Sequence, residues 1–236
     1  MCNPVQSAIP SAKRPVLLYY ITDRTQFGRT RDEQERKLLE KIHECAATDV
    51  DFIQLREKDL NTRELEHLAR KAMAAIPSGS TTKLLINSRI DVALACGAHG
   101  VHLPGNNLSA SDVRAIFVQA GQTRPVIGFS THSIAEVASA ESHGADFAVF
   151  GPVFEKDNIR NRAGLRQLAA LAERPERAAP AIPVLALGGI TLANAAQCLS
   201  AGVAGIAAIR MFQQNDVVAT VKMLRRLRMA ETVADV

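Results

Sequence analysis

From Pro15 onward the chain alternates short apolar runs with longer amphipathic stretches, and this alternation constrains the fold more than any other feature. The runs are VLLYYITD, DFIQLR, KLLINS, GVHLP, PVIGFST, FAVFGPVF, PVLALGG and GIAAIRMF, eight in all. They lack the polar alternation of a half-solvated strand, so each reads as a strand covered on both faces, as in a parallel sheet wrapped by helices. The stretches between them have helical period: in TRELEHLARKAMAAI, Leu65, Leu68, Ala69, Ala72, Met73 and Ile76 fall on one side. Thr30 before Glu33, Asn61 before Glu64 and Ser133 before Glu136 are capping signatures at helix starts. Gly97, Gly144 and Gly202 each stand just before the next run, where a helix C-terminus favours positive φ.

Eight strand-then-helix units in 236 residues predict an α/β fold, a single (β/α)8 TIM barrel a little under the usual length of about 250 residues. A doubly wound open sheet is the competitor. It would place a G-x-G-x-x-G turn after the first strand, where YYITDRTQFGRT stands instead. Residues 1–15 carry no period and are expected to form a flexible N-terminal tail, with residues 16–236 as the barrel domain.

Charge and composition narrow the partners. The net charge is +4, and the basic residues are scattered except for Lys222, Arg225, Arg226 and Arg228, which cover part of one helix. That is the pattern of a solvated face rather than a nucleic-acid footprint, and the absence of Trp argues against a base-stacking surface. No window of about 18 uninterrupted apolar residues exists, and MCNPVQSAIPSAKRP lacks the apolar core of a signal peptide. A soluble, cytoplasmic protein with no nucleic-acid or membrane partner is expected. Cys2, Cys45, Cys96 and Cys198 make no C-x-x-C pair, so reduced, buried thiols are predicted rather than disulfides or zinc.

In such a barrel the chemistry sits at the C-terminal strand ends and the loops that follow them. Those positions hold Thr22, Asp23, Arg56 to Lys58, Asn87 to Arg89, His102 to Asn107, Ser130 to His132, Gly151 to Arg162, Gly188 to Thr191 and Arg210. The set is rich in cations, amides and hydroxyls and poor in carboxylates, which suits anions better than metals. Gly188 and Gly189 in ALGGIT can bring backbone N–H groups to a phosphate, or can be an ordinary turn. Arg210 falls near the same place and either adds a charge-assisted bond or is a surface residue. Arg56 and Lys58 occupy alternate positions, so in extended backbone they share a face while Glu57 takes the other. Two cations so placed can hold a diphosphate, whereas an exposed ion pair worth about 0–1 kcal/mol needs no such placement.

Taken together, DFIQLREKDL, LLINSRIDVALACGAHGVHL, GFSTHS, GADFAVFGPVF and ALGGIT resemble, in order, the motifs of the thiamine phosphate synthase family and its TenI-type thiazole tautomerase relatives. The resemblance runs from Tyr20 to Phe212. It implies the same barrel and a transferase of thiamine biosynthesis that couples hydroxymethylpyrimidine diphosphate with thiazole phosphate, pyrophosphate leaving first. By resemblance, Arg56 and Lys58 bind the pyrophosphate, Gln54 and Asn87 contact the pyrimidine, His102 and Ser130 line the pocket, and Gly188 with Gly189 form the thiazole phosphate loop. His102 and His132 are the histidines on the active face that can move protons or orient ligand.

The resemblance also implies Mg2+, yet the two family aspartates that hold it stand here as Ser88 and Asn107. A hydroxyl and an amide are poor replacements on a cation that favours carboxylates, which argues against the metal. After GPVF the family's Thr- and Lys-containing loop is replaced over residues 155–164 by EKDNIRNRAG, where Lys156, Arg160 or Arg162 can supply charge, and the family Ser after the eighth strand is Arg210. VHLPGNN leans toward the tautomerase branch, but that branch's catalytic His in GHVF is Pro152 here. Three readings stay open: synthase, tautomerase using His102 or His132, and a non-catalytic binder of phosphorylated ligands. In each the partners are small phosphorylated molecules, and a homo-oligomer remains an open option.

Overall fold

The computed structural model describes residues 15–105, 108–154, 163–172 and 182–230. The tail expected over residues 1–15, save Pro15, lies outside the described residues, as do Asn107, Lys156, Arg160 and Arg162. Eight parallel strands follow one another around a closed barrel: β1 (Leu17–Ile21), β2 (Phe52–Leu55), β3 (Lys83–Asn87), β4 (Gly100–Leu103), β5 (Val126–Thr131), β6 (Phe147–Phe150), β7 (Val184–Ala186) and β8 (Gly205–Ala208). β8 pairs with β1 to close the ring. The helices between are α1 (Arg31–Ala47), α2 (Thr62–Ala75), α3 (Ile90–Cys96), α4 (Ala110–Gln119), α5 (Ile134–Ser142), α6 (Ala163–Ala172) and α7 (Ala195–Ser200), followed after β8 by α8 (Arg210–Gln213) and α9 (Val217–Ala230). A short 3-10 turn at Arg24–Gln26 follows β1. The apolar run GIAAIRMF is therefore divided: the strand ends at Ala208, and Arg210 opens a helix whose Met211 and Phe212 remain buried.

Local chemistry sets these boundaries. At the start of α2 the Asn61 side chain accepts from the Glu64 amide at 3.0 Å, and Glu64 accepts from the Asn61 amide at 3.0 Å, a reciprocal cap worth about 1 kcal/mol. Leu65, Leu68, Ala69 and Ala72 form its buried stripe, and it stops before Pro77, which disfavours helical backbone at Ile76. Thr30 and Ser133 cap α1 and α5 by accepting from the Glu33 and Glu136 amides. Gly97, Gly144 and Gly202 take the positive φ expected of them.

Two apolar layers result. One lies between the sheet and the helices. The other fills the barrel: Phe52 and Phe147 stack at 4.8 Å with planes 21° apart, and Tyr19 meets Phe147 edge-on at 5.4 Å. The barrel is thus plugged by rings, and any ligand must bind above them.

The N-terminal mouth is fastened by one device used twice. Asp51, just before β2, accepts from the Leu18 amide of β1 at 2.7 Å and pairs with Arg225 of α9 at 2.8 Å. Asp146, just before β6, accepts from the Ile127 amide of β5 at 2.7 Å and pairs with Arg114 of α4 at 2.9 Å. Gly100 and Gly205 open β4 and β8 opposite Leu85 and Leu185, so β1–β4 and β5–β8 repeat one pattern. The stacked Phe52 and Phe147 are the residues that follow the two aspartates.

Candidate active site

At the opposite mouth the run Arg56-Glu57-Lys58-Asp59 divides its charges. Glu57 and Asp59 both turn to Arg24. Arg24 donates from its amide to Glu57 at 3.1 Å and from Nη1 at 3.0 Å, and forms a bidentate pair with Asp59 at 2.7 and 2.6 Å. Thr22 Oγ1 donates to Glu57 Oε1 at 2.6 Å and accepts from the Arg56 amide at 3.0 Å. The side chains of Arg24 and Glu57 are 4% and 1% exposed, while that of Asp59 is 53% exposed. The two carboxyls sharing Arg24 titrate in opposite directions for that reason. Burial pushes Glu57 above the usual carboxylate range although Thr22 and Arg24 donate to it, whereas the Arg24 hydrogen bonds hold the wetter Asp59 below it. Every described contact to Glu57 is a donor, so the geometry is that of its ionised form.

Arg56 and Lys58 are left over. Among the described residues neither pairs with a carboxylate. Arg56 is half-buried just past the C-terminal end of β2, and its positive charge bears on both His102 and Asp23. Lys58 is exposed and stands in the turn after β2, so strand alternation does not extend through it, because the ladder ends at Leu55.

The pocket floor is built by neighbouring strands. Gln54 is buried beside the Tyr19 hydroxyl, and Asn87 at the end of β3 pairs in register with His102 of β4. His102 Nε2 lies 2.9 Å from Ser130 Oγ, and its ring packs between Tyr19 and Phe147 at 5.7 and 6.1 Å. Burial, reinforced by Arg56, pushes the His102 pKa down to about 3, so its ring is neutral near pH 7 and too weak a base to abstract protons efficiently. Its Nδ1 is buried without a described partner. His132 is exposed at the rim, where Nδ1 meets the Gly151 carbonyl. A carbonyl only accepts, so that nitrogen carries the hydrogen.

Across the mouth Gly188 and Gly189 take φ of 100° and 62°. A Cβ on Gly188 would lie 2.7 Å from Pro152 Cα, and one on Gly189 would lie 2.8 Å from the Phe154 carbonyl oxygen. Their carbonyls are used by the protein: Gly188 accepts from the Phe154 amide at 3.1 Å and Gly189 from the Asn194 side chain at 3.0 Å. Their N–H groups donate to no described acceptor, which suits a bound oxyanion. Arg210 is the exposed first residue of α8, after the neighbouring strand.

The described donors do not fit Mg2+. Glu57 and Asp59 are held by Arg24, and Asp91 by Arg89. Asp23 accepts from Thr25 and Gln26 at 2.6 Å each. Ser88 offers a hydroxyl on a left-handed backbone, φ 61°, fixed by its amide donating to the His102 carbonyl at 2.9 Å. Among the described residues no group of three or more His, Cys, Asp or Glu can hold a metal ion.

Sequence reasoning named Gln54, Arg56, Lys58, Asn87, His102, Ser130, His132, Gly188, Gly189 and Arg210 as candidates, and the fold puts them on one mouth, at or just beyond the C-terminal ends of β2, β3, β4, β5, β7 and β8. It missed Arg24. The available signal was an Arg just past one strand end with two carboxylates, alternately spaced, past the next.

A family model described as thiamine monophosphate synthase matches residues 18–212. The chain belongs to this family. A Geobacter sulfurreducens protein is 42% identical over 201 residues, covering 84% of this chain and 87% of that one. The thiamine-phosphate synthase of Methanoculleus marisnigri is 39% identical over 212 residues, covering 88% and 93%. Among solved structures, thiamine phosphate pyrophosphorylase from Pyrococcus furiosus superposes with a TM-score of 0.71 at 30% identity, covering 91% of this chain and 96% of its own. Membership of the thiamine monophosphate synthase family puts the chain in thiamine biosynthesis, among transferases of that type. No described helix is long and apolar enough to cross a membrane.

Proposed function

We propose that the protein is a thiamine-phosphate synthase that joins hydroxymethylpyrimidine diphosphate to thiazole phosphate and releases pyrophosphate. One observation carries this reading: Arg56, just past the C-terminal end of β2, makes no described salt bridge, because both acidic neighbours in its own run are taken by Arg24. Arg56 and Lys58 grip the diphosphate. As its C–O bond breaks, the charge growing on the leaving pyrophosphate is met by these cations, which is where preorganised charge lowers a barrier. The pyrimidine rests above the ring plug, against Gln54 and Asn87, with His102 and Ser130 beside it. The thiazole phosphate sits on the Gly188 and Gly189 amides near Arg210, which aims the thiazole nitrogen at the pyrimidine methyl cation.

This reaction breaks one C–O bond, forms one C–N bond and moves no proton. A His102 made a weak base by burial suits such a reaction, and leaves His132 at the rim as the histidine a tautomerase would have to use. No step is assigned to Mg2+, which the described donors do not fit. The described cysteines are free thiols, in keeping with a cytoplasmic enzyme.

The test is turnover. Purified protein with both substrates should release pyrophosphate and form thiamine phosphate, and Arg56→Ala should lower kcat/KM by about 100-fold or more. Silence of the wild-type protein at high concentration with both substrates would refute the synthase reading.

A further inference from the structure

We propose that Thr22 and Glu57 are positioning residues for Arg56, fixing the backbone from which its guanidinium is aimed through one directed chain of hydrogen bonds. This rests on the reading of Arg56 as a diphosphate contact. The sheet ladder ends at Leu55, so Arg56, the cation read as the diphosphate contact, lies past the last strand residue. Its amide donates to Thr22 Oγ1 at 3.0 Å. A threonine hydroxyl can rotate and reverse its role, but here its single proton is committed to Glu57 Oε1 at 2.6 Å, leaving its lone pairs for Arg56. Glu57 cannot reverse either, because its other described contacts are donors, the Arg24 amide and Nη1. Arg24 is in turn locked by its bidentate pair with Asp59.

Taken as whole residues, backbone included, Thr22, Arg24 and Glu57 are 0%, 4% and 5% exposed. A dry ionic network is a poor route to stability, since desolvation offsets most of the attraction, but it holds one geometry well. Its end point is the backbone amide of Arg56. Lys58 is exposed and outside this chain of bonds, so the network acts on one cation of the pair.

The experiment is calorimetric titration with inorganic pyrophosphate, in EDTA, of wild type, Thr22→Val, Thr22→Ser, Arg56→Ala and the double variant Thr22→Val/Arg56→Ala, with thermal unfolding of each. Valine keeps the shape of threonine and removes both bonds, whereas serine keeps them. Thr22→Val should weaken pyrophosphate binding about tenfold, and Thr22→Ser should restore it. The double variant should bind no more weakly than Arg56→Ala alone, because a residue that acts through Arg56 has nothing left to act on. A merely structural threonine would lower the melting temperature with affinity unchanged, or would add its full effect to that of Arg56→Ala; either result overturns the proposal. If Arg56→Ala binds as wild type, or wild type takes no pyrophosphate, the parent reading fails and this one with it, an outcome distinct from failure of the positioning role alone.

Discussion

Replacing Gly188 by alanine tests the phosphate loop in two separable parts. The backbone there has φ of 100°, which an L residue adopts at a cost of about 1–2 kcal/mol. The new methyl would also stand 2.7 Å from Pro152 Cα and 2.8 Å from its Cβ, with Val153 N at 3.3 Å. Overpacking of this kind costs about 1–3 kcal/mol, so the total is about 2–5 kcal/mol, a large part of the roughly 5–15 kcal/mol that holds a domain folded. Gly144 supplies the control. Its φ is 81°, yet a Cβ there meets nothing within 4 Å, so Gly144→Ala carries the conformational cost alone. Urea unfolding of the two variants gives the clash by difference, expected at about 1–3 kcal/mol. Relief of the clash must push the loop away from Pro152 and move the free amides, so Gly188→Ala should also weaken thiazole phosphate binding while Gly144→Ala does not. Equal destabilisation of the two variants would refute the packing described at this mouth.

Other consequences are as direct. Arg24→Met leaves the Glu57 carboxylate buried without its ion partner and should cost about 3–5 kcal/mol in urea unfolding, part of it recovered when Glu57→Gln is added. His102 has a folded pKa near 3, below its unfolded value, so between those values the unfolded chain binds the extra proton and stability falls as pH falls. From about pH 6.5 down to about pH 4, wild type should lose on the order of 1 kcal/mol per pH unit more than His102→Asn, and parallel stability curves would contradict the burial of that ring. Pyrophosphate affinity should be the same in EDTA and in millimolar Mg2+; a tenfold or greater gain with the metal would show that the cation set is incomplete without it.

The barrel was legible because its signals are periodic and local. Covered strands, capped helices such as Asn61 with Glu64, and glycines at helix ends each announce themselves within a few residues. The position of the site followed from topology alone, since parallel strands bring Arg56, His102 and Gly188 to one mouth. What stayed hidden were contacts between elements. Nothing near Glu57 in sequence says that its partner is Arg24 rather than Arg56 or Lys58, because that pairing depends on the turn after β1 folding over the end of β2. Nor does the sequence say that His102 is neutral, which needs the burial created by Tyr19 and Phe147 from distant strands. Nor does the pattern of the run show that β2 ends at Leu55, which puts both Arg56 and Lys58 beyond the strand.

The most direct measurement is a crystal structure of the protein soaked with inorganic pyrophosphate and thiazole phosphate together. The account predicts pyrophosphate against Arg56 and Lys58 and the thiazole phosphate on the amides of Gly188 and Gly189, both at one mouth above the ring plug. Pyrophosphate bound elsewhere, or a thiazole phosphate making no contact with the paired glycines, would contradict it.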